Sequence, residues 1–362
     1  MKKSKPSTIG DDHAVVNVLT NTSLWLSIAQ FQTGLPRHFH PIVRDIRVVA
    51  ASMWDPHRLL GPQTFQEQSS IKYHAWFAEY GLHAVRFLQQ KCMRDFVVYT
   101  SFIGHISSLA TLLPTSLKFS VTSVDLTRVW KFAARNGHLP VIQYLHMHQF
   151  PGCTSHVMDT AAGNGHLDIV SFLHSFRGEG CTKEAMDAAS FKGFLDVVQF
   201  LHRHRKEGCT KSAMTWAARL DQLQVVRFLD ENRTEGCTKK ALDWAAKHGH
   251  LNVVKYLHEH RQEGCPEKAL LEAAKAGHMH IVRYLALHAK DLHAWMHRAM
   301  QTAVAAGHLK HVRALVEQGG RCAASNDMGH VVEAALETAM DTGHTAIAHY
   351  LLVCYSQLTV LK

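Results

Sequence analysis

Between about residues 125 and 290 the apolar positions come in two short bursts, and the pair recurs at a fixed interval. Five cysteines (Cys153, Cys181, Cys209, Cys237 and Cys265) stand 28 residues apart and open successive repeats. Counting the cysteine as position 0, Ala213, Met214, Ala217 and Ala218 fall at positions 4, 5, 8 and 9, one face of a helix. After a break, Leu195, Val197, Val198, Phe200 and Leu201 of the Cys181 repeat show helical spacing again. Each repeat therefore predicts two short helices. Thr210 follows Cys209 and suits the N-cap of a first helix starting at Lys211. Gly137, Gly165, Gly193, Gly249 and Gly277 stand where that helix should end in a left-handed residue, a role left to Asp221 in the Cys209 repeat.

A helix pair of this kind can bury its apolar face only against neighbouring pairs, and a period in this range marks a stacked array. The predicted fold is an all-α solenoid covering residues 71–362, regular over about 125–290 and irregular in the capping repeats at both ends. Gly104-His105, Gly307-His308 and Gly343-His344 mark further turns, and Trp76 to Leu88 around Gly81 is a weaker first unit. Residues 1–14 read as a disordered tail, and residues 15–70 form a non-repeating helical segment.

The run A-A-x-x-G-H-L-x-V-V-x-F-L, as in Ala245 to Leu257, resembles the ankyrin repeat. Two departures stand out. The ankyrin T-P-L-H opening is replaced by sequences such as Lys239 to Asp243, and the period is 28 where about 33 is usual. The repeats look like the short ankyrin variant of expanded families in oomycete-like protists and giant viruses. The resemblance implies a non-catalytic protein-binding scaffold whose β-fingers are shortened or absent, which moves attention to the first helix of each pair. Upstream, Ile46 to Trp54 resembles the V-x-x-x-W close of an F-box, without its leading Leu-Pro. That resemblance implies a substrate adaptor of a cullin-type ubiquitin ligase, against the simpler reading of a helical cap.

With positions 4, 5, 8 and 9 buried, positions 3, 7, 10 and 11 share the other face of the first helix. There Phe191, Trp216 and Trp244 lie beside Arg219, Lys247 and Lys275, an aromatic and basic patch suited to a protein partner. The alternative is that both tryptophans pack between repeats. Aromatics among cations also suit single-stranded nucleic acid, a reading disfavoured by Glu184, Asp243 and Glu272 on the same helices.

Composition adds little to this picture. The net charge of +9, from 39 basic and 30 acidic residues, is diffuse. Residues 1–20 lack an apolar signal core, and stacked helices hold equivalent residues about 8–10 Å apart, too far for a disulfide. The cysteine column is therefore expected to be a ladder of buried thiols in a cytoplasmic protein, with a nuclear location left open. Val97 to Leu117 carries no charge, but His105, Pro114 and the turn at Gly104 argue against a membrane span. The 29 histidines fall mainly after the turn glycine or at the end of the second helix, where hydrogen bonding accounts for them. His293 and His297 have ligand spacing without a third partner. No phosphate loop, nucleophile elbow or carboxylate pair in a cleft is legible, so neither catalysis nor a cofactor or metal is expected. The chain is expected to act as a monomer.

Overall fold

The computed structural model describes residues 40–51, 62–113, 126–288, 292–322 and 325–360. Among these residues the regular elements are all helices. They fall into two compact units, one of residues up to Ala161 with Phe172–Gly180, the other of Ala162–Ser171 with Cys181 onward.

The first unit contains α1 (His40–Ala51), α2 (Pro62–Ile103), α3 (Ile106–Leu112), α4 (Leu126–Arg135) and α5 (Leu139–Met147), together with most of α6 (Ser155–Ala162) and the end of α7 (Leu167–Phe176). α2 is a run of 42 helical residues that cannot be one straight rod. In a straight helix Tyr73 and Tyr99 would lie about 39 Å apart at ~1.5 Å per residue, yet their ring centroids are 5.7 Å apart. The chain doubles back within α2, and Gly81, at φ +58°, supplies a left-handed break. Tyr73 is fully buried and donates to Ser108 Oγ at 2.7 Å. The uncharged run from Val97 ends α2, turns at Gly104 and continues as the short α3. No described helix is long and apolar enough to cross a membrane.

α1 packs against α2 through Ile42, Val43, Ile46 and Val49, all buried, and the buried Asp45 accepts from Ser69 Oγ at 3.2 Å. The F-box-like stretch thus contributes its described part to the core of this unit. Trp54 lies outside the described residues.

The second unit is a succession of helix pairs: α8 (Lys183–Lys192) with α9 (Leu195–His204), α10 (Lys211–Arg219) with α11 (Leu223–Asn232), α12 (Lys240–His248) with α13 (Leu251–His260), and α14 (Pro266–Ala276) with α15 (Met279–Leu287). The longer α16 (Leu292–Ala305), α17 (Leu309–Cys322), α18 (Ser325–Asp341) and α19 (Thr345–Val360) complete it. First helices contact first helices of neighbouring pairs, and second helices contact second. Paired alanines such as Ala217-Ala218 and Ala245-Ala246 are fully buried, which lets the first helices approach closely. Val253, Val254 and Leu257 fill the space behind them, each contributing about 1.5–3 kcal/mol before entropy is counted.

The local signals act as the residues suggest. Thr210 Oγ1 accepts from the Ser212 N–H at 3.1 Å, capping α10. Gly193, Gly249 and Gly277 take the left-handed conformation at the ends of α8, α12 and α14. Asp221 takes φ +61° in the same role. Its turn is not kinked: Gln222 N–H reaches Ala217 O at 3.0 Å, as His250 N–H reaches Ala245 O at 3.0 Å.

The expected ladder of buried thiols requires correction at its ends. Cys181, Cys209 and Cys237 are buried, Cys153 is half-buried, and Cys265 is exposed. At Cys265 the helix opens immediately with Pro266, so the cysteine becomes an N-cap whose thiol faces Glu267. The six described cysteines are free thiols.

Candidate functional site

Three polar devices tie successive repeats together and so position the first-helix face. The first is at position 6. The Asp187 carboxylate accepts from Thr210 N–H at 2.8 Å and Oγ1 at 2.6 Å, so one repeat orders the N-cap of the following one. Thr215 plays the same part for Thr238, whose N–H it accepts at 2.9 Å. For Asp243 the next repeat has Pro266 where Thr210 and Thr238 stand, and the carboxylate pairs instead with Lys268 Nζ at 3.0 Å. Asp243 is therefore buried and engaged, and it is no counter-charge on the open face.

The second device is the histidine after the turn. His250, His278 and His308 donate from Nε2 to the carbonyls of Arg219, Lys247 and Lys275 at 3.0, 3.1 and 2.9 Å. Each acceptor is the position-10 residue of the repeat before. A carbonyl at the end of a helix lacks an intrahelical partner, and the next repeat supplies one.

The third device lies before each cysteine. Arg205–Glu207 and Arg233–Glu235 are short-range pairs, and the two carboxylates also face the Cys181 and Cys209 N–H groups at 3.5 Å. Burial works to raise the Glu207 pKa, but the Arg205 hydrogen bond and backbone donors hold it at about 2. At Glu235 the Arg233 hydrogen bond outweighs burial to the same result, about 2. Burial pushes the Cys209 and Cys237 thiols up to about 11, so they are poor nucleophiles.

The second helices carry a matching ladder. His202 meets Phe228 edge-on at 5.4 Å, and His258 meets Tyr284 at 5.7 Å. Where the histidine becomes Asp230, the facing ring is Tyr256, whose hydroxyl donates to the carboxylate at 2.8 Å.

On the first-helix face the structure brings Phe191, Trp216, Arg219 and Trp244 into one cluster. Phe191 and Trp216 meet edge to face at 5.5 Å, and Trp216 and Trp244 lie 5.2 Å apart. The Arg219 guanidinium carbon is 5.1 Å from the Trp216 ring centroid and 5.4 Å from that of Trp244. Lys240 Nζ lies 5.7 Å over Trp244. All three rings are half-buried, so they both pack between repeats and reach the surface. Lys247 is exposed beside them. Lys275 stands apart, since Glu272 on its own helix holds it at 2.8 Å. Arg219, Lys240 and Lys247 form no ion pair with a described carboxylate.

Sequence reasoning missed Lys240, whose position-3 column reads Glu184, Ser212, Lys240 and Lys268 without regularity. It also missed the position-6 clamp, although a column of Asp or Thr preceding a Thr N-cap could have revealed it. His293 belongs to the residues whose side chains are not described, so its spacing with His297 lies outside the described residues.

The family model for ankyrin repeats matches residues 185–265 in three copies. Those residues hold α9 to α13 and nearly all of α8, and with them most of the aromatic and basic cluster. No curated protein matches the chain.

Proposed function

We propose that this ankyrin-repeat chain is a scaffold that binds a protein partner on the first-helix face around Phe191, Trp216, Arg219, Trp244, Lys247 and Lys275. Ankyrin repeats are typically non-catalytic interaction modules, and they imply protein partners. The observation that carries this reading is the placement of Arg219 over two adjacent tryptophans, among cations lacking a carboxylate partner. Tryptophan and arginine dominate the energy of protein interfaces, and a side chain already held by its neighbours loses little entropy on binding. Lys275, tied to Glu272, forms the margin of the surface.

α1 is read here as a cap on the first compact unit, because the described part of the F-box-like stretch buries Ile46 and Val49 within that unit.

Charge reversal tests the docking face. Full-chain Arg219→Glu and Lys247→Glu should each lose the partner recovered with the parent chain, while Lys255→Glu on α13 should retain it. Loss from Lys255→Glu alone would place docking on the second helices and refute the proposal.

A further inference from the structure

The basic part of this face centres on α10 and α12, with the exposed Lys192 of α8 held by Asn164 Oδ1 at 2.9 Å. Arg219 and Lys247 occupy position 10 of neighbouring repeats, so stacked-helix spacing sets them about 8–10 Å apart. Lys240 lies seven residues before Lys247 on α12, about 10 Å along the helix axis. On one side the basic stretch meets Glu184 of α8, and on the other the Glu272–Lys275 pair of α14. The remaining basic side chain on the open face of α14, Lys268, is engaged by Asp243. Three cations without a described carboxylate partner, grouped around two half-buried tryptophans, therefore suit a ligand that is both anionic and partly apolar.

Two anionic classes could meet that description, and the rings favour one. A nucleic acid strand would stack its bases on aromatic faces. Here Arg219 already lies over both Trp216 and Trp244, Lys240 lies over Trp244, and Phe191 abuts Trp216. The rings act as rigid supports for cations. The Arg219 guanidinium carbon lies within 5.4 Å of both indole centroids, and no described carboxylate pairs with the group, whose N–H fork can grip a carboxylate through two parallel hydrogen bonds.

Resting on the docking face proposed above, we infer that the partner offers an extended acidic peptide segment with two carboxylates three residues apart. A polyproline-II segment rises about 3.1 Å per residue with three residues per turn, so an i, i+3 pair lies on one side of it and spans about 9 Å. That distance matches Arg219 to Lys247 across the repeats. An apolar side chain between the two carboxylates lies at the flank of the segment, where it can pack on the half-buried Trp244 ring.

The test uses the full chain and fluorescein-labelled decapeptides on a Gly-Ser background. One probe carries Glu-Leu-Gly-Glu, a second has the same composition with adjacent glutamates, and a ten-nucleotide RNA is the third. Fluorescence anisotropy at low salt should rank the spaced peptide first, with binding that weakens as salt is added. Arg219→Gln and Lys247→Gln should each weaken it about tenfold, the loss of one charge-assisted hydrogen-bonded contact. Lys310→Gln, an exposed charge on α17, should leave it unchanged. Circular dichroism confirms that each variant is folded. Equal binding of both peptides, preference for the RNA, or no peptide binding would overturn the inference. If the peptides fail while Arg219→Glu and Lys247→Glu still abolish partner recovery, the acidic segment falls and the docking face stands. If those variants also retain the partner, both fall.

Discussion

The His250 ring nitrogen Nε2 donates to the backbone carbonyl of Arg219 at 3.0 Å, so the turn of one repeat secures the helix end that carries the central cation of its neighbour. The same bond links His278 to Lys247 and His308 to Lys275. The histidines that recur in the turns thus act at the interface between repeats, directly beneath the basic positions. Removing this bond in His250→Ala should cost about 1 kcal/mol of stability, a typical net hydrogen-bond value. Urea denaturation measures it, and an unchanged midpoint would show that the turn contributes nothing.

The clamp from Asp187 to Thr210 predicts a comparable loss. Thr210→Val removes both the cap of α10 and a partner of Asp187, and should cost about 1–2 kcal/mol. Asp187→Asn can keep an acceptor for the Thr210 N–H and should be milder. Comparison of the two denaturation midpoints checks the order, which reverses if the carboxylate charge matters more than the cap.

Arg219 and Trp244 should be energetically coupled. A double-mutant cycle with Arg219→Gln and Trp244→Leu should give about 0.5–1 kcal/mol, the range for a cation over a partly exposed ring. A coupling indistinguishable from zero would mean that the guanidinium and the ring are neighbours without mutual stabilisation.

Acid should unfold the chain in two ranges. His258, His278 and His311 have pKa values lowered from the ordinary 6.5, chiefly by burial, so the folded state disfavours their protonation. Their contribution is complete above about pH 6.5 and is lost as pH falls through their lowered values. Glu207 and Glu235, held at about 2 against an ordinary 4.5, contribute above pH 4.5 and lose that contribution as pH falls toward 2. Melting temperatures across this range should decline in both intervals. The double variant Glu207→Gln and Glu235→Gln should flatten the lower one.

Thiol reactivity should follow burial. Iodoacetamide at pH 8 should label Cys265 well before Cys209 and Cys237, whose thiols burial raises to about 11. Peptide mass mapping reads the order, and early labelling of Cys209 would mean that the stack opens locally.

Much of this architecture is legible in the residues, because a stacked repeat writes each interaction several times. The alanine pairs, the Thr210 cap and the left-handed Gly249 all follow from local rules. Cys265 departs from its column because Pro266 changes the start of one helix, an effect the period averages away. Asp243 looks exposed when positions 4, 5, 8 and 9 are taken as the whole buried set, but position 6 is covered as well, as the buried Asp159 and Thr215 show. The aromatic and basic residues were visible as columns. That Arg219 lies over two tryptophans, whereas Lys275 turns toward Glu272, depends on side-chain directions that spacing does not encode.

The most direct test of the docking face is site-specific photo-crosslinking in cells. A photoreactive residue replacing Lys247 on α12 is compared with one replacing Lys255 on α13. The account predicts a discrete protein adduct from position 247 that disappears with Arg219→Glu, and none from position 255. An adduct from position 255 alone, or one at 247 indifferent to Arg219, would contradict it.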